Sequence, residues 1–150
     1  MNDWQARGGW FVVAQFALLG LVFFAPDGFS RFTPSAWAAW VFGVTGWTLF
    51  IWARISLGRN LTAFPRPRDD GTLVTSGAFA FVRHPIYSAV MLWALAGVFG
   101  RGSWVALGCS VALMVLLEFK SRREEAFLLE RFPEYAAYRV RVKKFVPGVY

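Results

Sequence analysis

The chain has few of the residues that form metal sites and catalytic nucleophiles, since it contains one cysteine and one histidine in 150 residues. Cys109 lies inside an apolar run, so no intrachain disulfide and no cysteine-based metal site can be assembled. Apart from His84, only carboxylates remain as ligands, and they form no metal-binding cluster in the sequence. The sequence therefore predicts no bound metal.

Other catalytic signatures are also missing from the sequence. No glycine fingerprint for a dinucleotide follows a strand, and no phosphate-binding loop is present. Ser88 and His84 are close in sequence, but nothing beyond that spacing connects them into a Ser-His-Asp triad. The sequence therefore contains no motif that would indicate a phosphate-loop enzyme or a serine hydrolase.

Apolar residues dominate what is present. The chain is 57% hydrophobic and contains eight tryptophans, which is unlike an ordinary soluble domain. A soluble protein with an unusually apolar core is the alternative. The net charge of +7 does not indicate a nucleic-acid partner, because the basic residues lie between apolar runs and form no stripe along one polar face. Orientation in a membrane explains this distribution better.

Four apolar segments are candidate transmembrane helices, at residues 9–25, 36–57, 85–99 and 104–117. The first is uncharged and long enough to cross a hydrocarbon core of roughly 30 Å. A cleaved signal peptide is the alternative, although Phe23 and Ala25 before Pro26 form a poor cleavage site. The last two are short and joined by a tight turn, which predicts a helical hairpin. The predicted fold class is an all-α integral membrane helical bundle of one domain, residues 1–150, with four transmembrane segments and a cytoplasmic C-terminal helix.

Two polar segments flank this hairpin. Residues 58–84 are rich in turn-forming residues and long for a connector, which favours a functional role over the alternative of a disordered linker. Pro85 then fits the first turn of the third helix. Residues 118–141 have helical composition and are predicted to extend the fourth helix until Pro133 interrupts it, leaving 134–138 as a second short turn or helix.

The basic residues also predict an orientation. Of sixteen lysines and arginines, fourteen lie before the first span, from Arg54 near the end of the second span to Arg83, or after the fourth span. The positive-inside rule then places both termini and residues 58–84 in the cytoplasm, in a bacterial inner membrane. This topology brings Arg83 and His84 to the same membrane face as the glutamates of the C-terminal segment.

The first of these segments ends in Val82-Arg83-His84-Pro85 with Tyr87 close behind, and the second contains Arg123-Glu124-Glu125. These motifs are similar to the signature of the isoprenylcysteine carboxyl methyltransferase family. Related phospholipid N-methyltransferases and membrane thiol methyltransferases share much of it. The resemblance covers about residues 56–150, and the first two helices match only in hydrophobicity. It rests on Gly77, Phe79, Val82-Arg83-His84-Pro85 and Tyr87, followed by Arg123-Glu124-Glu125, Leu128, Phe132, Tyr135, Tyr138 and Phe145-Val146-Pro147. This chain has Ala78 and Phe79 where the family usually has Pro and Tyr.

The resemblance implies a membrane enzyme that binds S-adenosylmethionine at its cytoplasmic face, within residues 58–150, and methylates a lipophilic or small membrane-accessible substrate. The acceptor is a carboxylate, a thiol or an amine, and no nucleic acid is expected as a partner. The resemblance places Arg83, His84 and Glu125 at the cofactor, together with Tyr87 and Tyr138. His84 and Glu125 are its candidate catalytic residues.

Elementary chemistry is consistent with these assignments. Arg83 can pair bidentately with the cofactor carboxylate, His84 can donate a hydrogen bond, and Glu124 or Glu125 can accept from the ammonium group or the ribose. A carboxylate acceptor needs no base, whereas an amine or thiol needs His84 or a glutamate. The alternative for Glu124 is a surface ion pair with Lys120, four residues earlier.

Two other functions stay open on sequence alone. Membrane sterol reductases resemble this C-terminal architecture but use a nicotinamide cofactor. A non-catalytic membrane protein could also retain the same scaffold.

Overall fold

A computed structural model describes residues 8–26, 31–65 and 70–150. Within these ranges every regular element is helical, which agrees with the predicted all-α class. The turn expected at 26–28 and the Pro-Arg run at 65–68 lie largely outside the described residues, as does Arg7. The helices are α1 Gly9–Phe24, α2 Ala36–Leu57, α3 Pro85–Arg101, α4 Trp104–Arg131 and α5 Tyr135–Arg141, with short 3-10 turns at Gly58–Asn60 and Gly77–Ala80.

Local sequence signals determine where the helices begin and end. Ser35 caps α2 by accepting a hydrogen bond from the Ala38 amide at 3.3 Å. Pro85 occupies the first turn of α3, as predicted, since its missing N–H has no intrahelical partner there. Gly102 adopts φ 61° and ends α3, so that the chain turns back into α4 within two residues.

Among the described residues, two helices are long and apolar enough to cross a membrane: α2 together with the 3-10 turn that follows it, Ala36–Asn60, and α4, Trp104–Arg131. The apolar helices α1 and α3 have 16 and 17 residues, which is short for a full span. The count of four transmembrane segments therefore remains a prediction. The extension of the fourth helix is confirmed, because α4 runs unbroken for 28 residues and ends two positions before Pro133.

The core lies where α3 packs between its neighbours. Val90, Ala94 and Val98 of α3 are buried against Leu113 and Leu117 of α4 and against Val22 of α1. Close approach requires a small residue at Gly97, since a Cβ there would lie 2.7 Å from the Val22 side chain. The outer surfaces are apolar and exposed, including Trp37, Trp40 and Trp47 of α2 and Val111, Val115 and Phe119 of α4. Such surfaces suit a hydrocarbon surrounding.

Arg101 has a structural role at the end of the bundle opposite the polar segments. Its Nη1 donates to the carbonyl of Val22 at 2.8 Å, and its Nη2 donates to the carbonyl of Ala25. The first of these carbonyls is in the last turn of α1 and the second belongs to the residue after it, where carbonyls have no partners within the helix. Arg101 therefore fixes α1 against the α3–α4 hairpin.

Candidate active site

The Arg-His-Pro motif is held by the C-terminal end of the chain. Residues 82–84 are not helical, as expected for residues that lead into Pro85. The Arg83 amide donates to the carbonyl of Lys143 at 2.8 Å, and the His84 amide donates to that of Lys144 at 3.0 Å. This short parallel pairing fixes both motif side chains where α3 begins.

Glu125 is the buried centre of the ionic cluster. Its Oε1 lies 3.0 Å from Arg83 Nε and 3.0 Å from His84 Nε2. Its Oε2 lies 3.6 Å from Arg139 Nε. The prediction that the Arg-His pair meets the Glu pair across the hairpin is therefore matched by direct contacts between residues 41 and 42 positions apart.

Arg83 is more constrained than the sequence suggested. Its Nη1 donates to the carbonyl of Arg139 at 2.8 Å and to that of Val142, while Nε donates to Glu125. Bidentate pairing of Arg83 with a cofactor carboxylate would require one of these bonds to break. Its main role in this arrangement is to join the motif to α4 and α5.

Glu124 has a different environment from its neighbour. Its Oε2 accepts a hydrogen bond of 2.6 Å from the Tyr87 hydroxyl and lies 3.8 Å from His84 Nδ1. The rings of His84 and Tyr87 are parallel, with centroids 5.3 Å apart. His84 therefore lies between the two carboxylates, with Glu125 on one ring nitrogen and Glu124 near the other.

Two tyrosines of α5 complete the site. The Tyr138 hydroxyl donates to the carbonyl of Phe79 at 2.6 Å. The Tyr135 hydroxyl is buried and has no hydrogen-bond partner among the described residues. Burial raises the pKa of Tyr138 to about 12 and raises the pKa of Tyr135 as well, so both hydroxyls are protonated at neutral pH.

These side chains border a cavity between α3, α4, α5 and the segment before the motif. Five predicted site residues line it, namely Arg83, His84, Tyr87, Glu124 and Tyr138. Glu125 does not line it in the part of the chain that is described, and instead faces an outer groove on the other side of α4. The apolar wall is formed mainly by Leu73, Val74, Ile86, Leu128 and Phe132. The two adjacent glutamates therefore lie on opposite sides of the ionic cluster, Glu124 at the cavity and Glu125 at the outer groove.

Some lining residues were absent from the predicted site. Tyr135 is one, although its spacing of three from Tyr138 places both on one helix face and could have indicated it. Asn60 and Thr72 are others. Asn60 Oδ1 accepts from the Thr72 amide at 2.9 Å, and both residues line the cavity. No sequence signal indicates this pairing across twelve positions.

The alternative interpretation, a surface ion pair between Lys120 and Glu124, is wrong. Lys120 is only 1% exposed, and its Nζ donates to Gln15 Oε1 of α1 at 2.7 Å. Its Nζ also lies 5.1 Å from the centroid of the Tyr87 ring. Lys120 is therefore a buried residue directly behind the cavity wall.

Residues 39–130 match the family model for isoprenylcysteine carboxyl methyltransferases (ICMT), which is more than half of the chain. The chain belongs to the ICMT family. The match begins inside α2, so the similarity extends further toward the amino terminus than the motifs alone indicated. It includes both the Arg-His-Pro motif and the glutamate pair.

Individual relatives are similar over different portions. The cobalt-zinc-cadmium resistance protein CzcN of Cupriavidus metallidurans is 32% identical over 93% of this chain and 62% of its own length. The protein-S-isoprenylcysteine O-methyltransferases of Schizosaccharomyces pombe and Homo sapiens are 38% and 37% identical, over 59% and 54% of this chain. These matches cover 38% and 29% of the two eukaryotic proteins. The chain thus spans less than two thirds of the length of each of these relatives.

Proposed function

We propose that this protein is an integral membrane methyltransferase that uses S-adenosylmethionine to methylate a lipophilic or small membrane-accessible acceptor. The observation that carries the proposal is the meeting of His84 and Tyr87 with Glu124 and Glu125 at the edge of a partly apolar cavity. Membership of the ICMT family supports the same activity.

The cavity offers groups that fit this cofactor. Tyr135 lines the cavity and has a buried hydroxyl without a partner among the described residues, and Glu124 lines it with a carboxylate that can accept from an ammonium group or ribose hydroxyls. The apolar side chains of Ile86, Leu128 and Phe132 would contact the less polar parts of the ligand. We assign Arg83, His84, Tyr87, Glu124, Glu125 and Tyr138 to cofactor binding, with Arg83 and Glu125 acting largely by holding His84 in place.

When bound, S-adenosylmethionine supplies an activated methyl group for direct displacement by the acceptor. The protein then has to align the acceptor and exclude water. His84 is oriented by Glu125 and by its stacking on Tyr87, so its position is fixed before any ligand arrives. If the acceptor is a thiol or an amine, Glu124 can accept its proton, because this carboxylate lines the cavity whereas His84 Nε2 is engaged with Glu125.

The acceptor is proposed to arrive from the bilayer. Four transmembrane segments in a bacterial inner membrane, with both termini cytoplasmic, would leave the cavity at the cytoplasmic boundary. Leu57 at the end of α2 and Ile86 at the start of α3 both line the cavity, so its wall includes the ends of two apolar helices. Nearby, the exposed rings of Trp52 and Phe81 lie 5.3 Å apart and could contact an apolar ligand at this boundary.

Binding measurements on the full chain in detergent test the proposal directly. Isothermal calorimetry is expected to detect S-adenosylmethionine and no NADPH. His84→Ala and Glu125→Gln should each weaken binding by about thirtyfold to a thousandfold, because losing a partner in a water-poor site costs about 2 to 4 kcal/mol. Arg59→Gln is the control, since Arg59 is exposed and does not line the cavity.

The result separates three functions. Binding of NADPH alone would indicate the reductase, and binding of neither cofactor would indicate a non-catalytic scaffold. Binding within about threefold of wild type in both site variants, a difference under roughly 1 kcal/mol, would make His84 and Glu125 structural. No specific contact in the described structure favours either alternative. Labelled methyl transfer onto a lipid and thiol extract would then identify the acceptor.

A further inference from the structure

The outer groove beside Glu125 is a second polar site, and Arg83 borders both this groove and the cavity. It lies between α4, α5 and the C-terminal residues. Five basic side chains and two acidic side chains border it, which gives an excess of three positive charges among its described lining side chains. These side chains are Arg83, Arg122, Arg139, Lys143, Lys144, Glu118 and Glu125.

The two carboxylates are each shared between cations. Glu118 Oε1 lies 2.6 Å from Arg122 Nε and 2.9 Å from Lys144 Nζ. Glu125 is divided in the same way between Arg83 and Arg139. One carboxylate cannot neutralise two cations, and Lys143 adds an exposed positive charge. The groove therefore attracts an anion.

The position of the groove along α4 indicates that the anion belongs to a lipid. Val111, Val115 and Phe119 form an exposed apolar stripe on this helix. Arg122 follows at the next helical spacing, about 4.5 Å further along the axis. The groove is thus at the end of the surface that would face lipid, at the depth where headgroup phosphates lie.

Exposed apolar residues on the other side of the groove agree with this position. Val140 of α5 and Val149 are 85% and 73% exposed, and both line the groove. Apolar side chains beside a basic groove are typical of a surface that contacts the membrane interface. A water-soluble anion would have no use for them.

We propose that the outer groove binds the phosphate of an anionic phospholipid headgroup. Arg122 and Lys143 contact the phosphate oxygens, and Val140 and Val149 lie against the adjoining acyl region. Because Arg139 also contacts Glu125, a bound lipid would touch the ionic cluster from the side opposite the cavity. The assignment does not depend on the proposed methyl transfer.

Native mass spectrometry of the full chain, titrated in detergent with phosphatidylglycerol or phosphatidylcholine, tests this site. The wild type should retain one phosphatidylglycerol in preference to phosphatidylcholine. The double variant Arg122→Gln/Lys143→Gln should weaken phosphatidylglycerol binding at least about tenfold, the effect expected from losing two basic residues near a headgroup. Arg54→Gln/Arg59→Gln is the matched control, since it removes two positive charges outside the groove.

Several outcomes would overturn the assignment. An equal loss in the control pair would indicate bulk electrostatic attraction with no site, and equal retention of both lipids would remove the headgroup preference. Displacement of the lipid by millimolar inorganic phosphate would identify free phosphate as the ligand. If the double variant does not fold, Lys143→Glu provides the same comparison at one exposed position, and unchanged lipid retention there would contradict the proposal.

Discussion

Lys120 and Gln15 are 105 positions apart, yet Lys120 Nζ donates to Gln15 Oε1 at 2.7 Å in the interior of the protein. Both side chains are buried, so the bond joins α1 to α4 where water is excluded. The Tyr87 ring lies against the same ammonium group and carries the hydroxyl that binds Glu124. The first helix is thereby connected to the wall of the candidate active site.

Substituting Gln15 and substituting Lys120 should reduce the free energy of unfolding by different amounts. Gln15→Leu leaves a buried ammonium group without its hydrogen bond and is expected to cost about 3 to 5 kcal/mol in the free energy of unfolding. Lys120→Met leaves a neutral amide unsatisfied and should cost about 1 to 3 kcal/mol. Replacing both by apolar side chains should recover much of the loss. Denaturant unfolding in detergent measures all three.

Lys143→Met is the control, because this lysine is exposed and should change stability by less than about 0.5 kcal/mol. Strictly additive losses in the double variant would contradict the coupling, since independent sites add.

The sequence was sufficient for much of the fold. Uncharged runs marked the helices, and Pro85 and Pro133 marked where α3 begins and where α4 has to end. The joining of the Arg-His-Pro motif to the glutamate pair was also predictable, because the α3–α4 hairpin returns the chain to the same end. The number of membrane spans was harder to predict, since α1 and α3 are apolar but short.

Other features depend on packing that no local pattern reports. Glu124 and Glu125 are adjacent, and a helix turns by about 100° between them, so only the placement of α4 determines which carboxylate reaches the cavity. Lys120 has the spacing of a solvated ion pair, yet its partner belongs to a helix more than a hundred residues earlier. The Asn60–Thr72 contact also depends on how the loop closes.

Gly77 should tolerate no side chain. It has φ 62°, and a Cβ there would lie 2.2 Å from Ser56 Oγ, which accepts a hydrogen bond from the Ala78 amide. Gly77→Ala should therefore reduce the free energy of unfolding by about 2 to 4 kcal/mol, from backbone strain of roughly 1 to 2 kcal/mol and overpacking of similar size. Thermal unfolding in detergent checks this.

Gly148→Ala isolates the backbone contribution. Gly148 also has a positive φ of 73°, but a Cβ added there would have no neighbouring atom within 4 Å. Its substitution should cost only the strain, about 1 to 2 kcal/mol. Equal losses at the two positions would show that the contact with Ser56 is unimportant.

The proposed membrane orientation predicts which loops each side can label. In a Cys109→Ser background, a cysteine replacing Gly71 should react only with reagents that reach the cytoplasm. A cysteine replacing exposed Thr33 in the first loop should react from the opposite side. Accessibility labelling in intact cells and inverted vesicles measures both. Labelling of the Gly71 position from outside would reverse the topology and remove the cytoplasmic location of the site.

The tyrosines Tyr135 and Tyr138 should respond in opposite ways to loss of their hydroxyls. Tyr135 has a buried hydroxyl with no partner among the described residues, so Tyr135→Phe removes a desolvation penalty and should raise the unfolding temperature. Tyr138→Phe removes the bond to the Phe79 carbonyl and should lower stability by about 1 kcal/mol. Differential scanning fluorimetry without ligand distinguishes the two.

The same pair tests whether Tyr135 binds the cofactor. If its hydroxyl finds its partner there, Tyr135→Phe should weaken S-adenosylmethionine binding about threefold to tenfold while the free protein becomes more stable. If the hydroxyl has no part in binding, Tyr135→Phe should leave the affinity unchanged while the free protein still becomes more stable. The effect should be independent of pH between about 6 and 9, because burial raises the pKa of Tyr135 and keeps its hydroxyl protonated. Unchanged affinity by calorimetry would exclude the Tyr135 hydroxyl from cofactor binding, whatever the stability of the free protein.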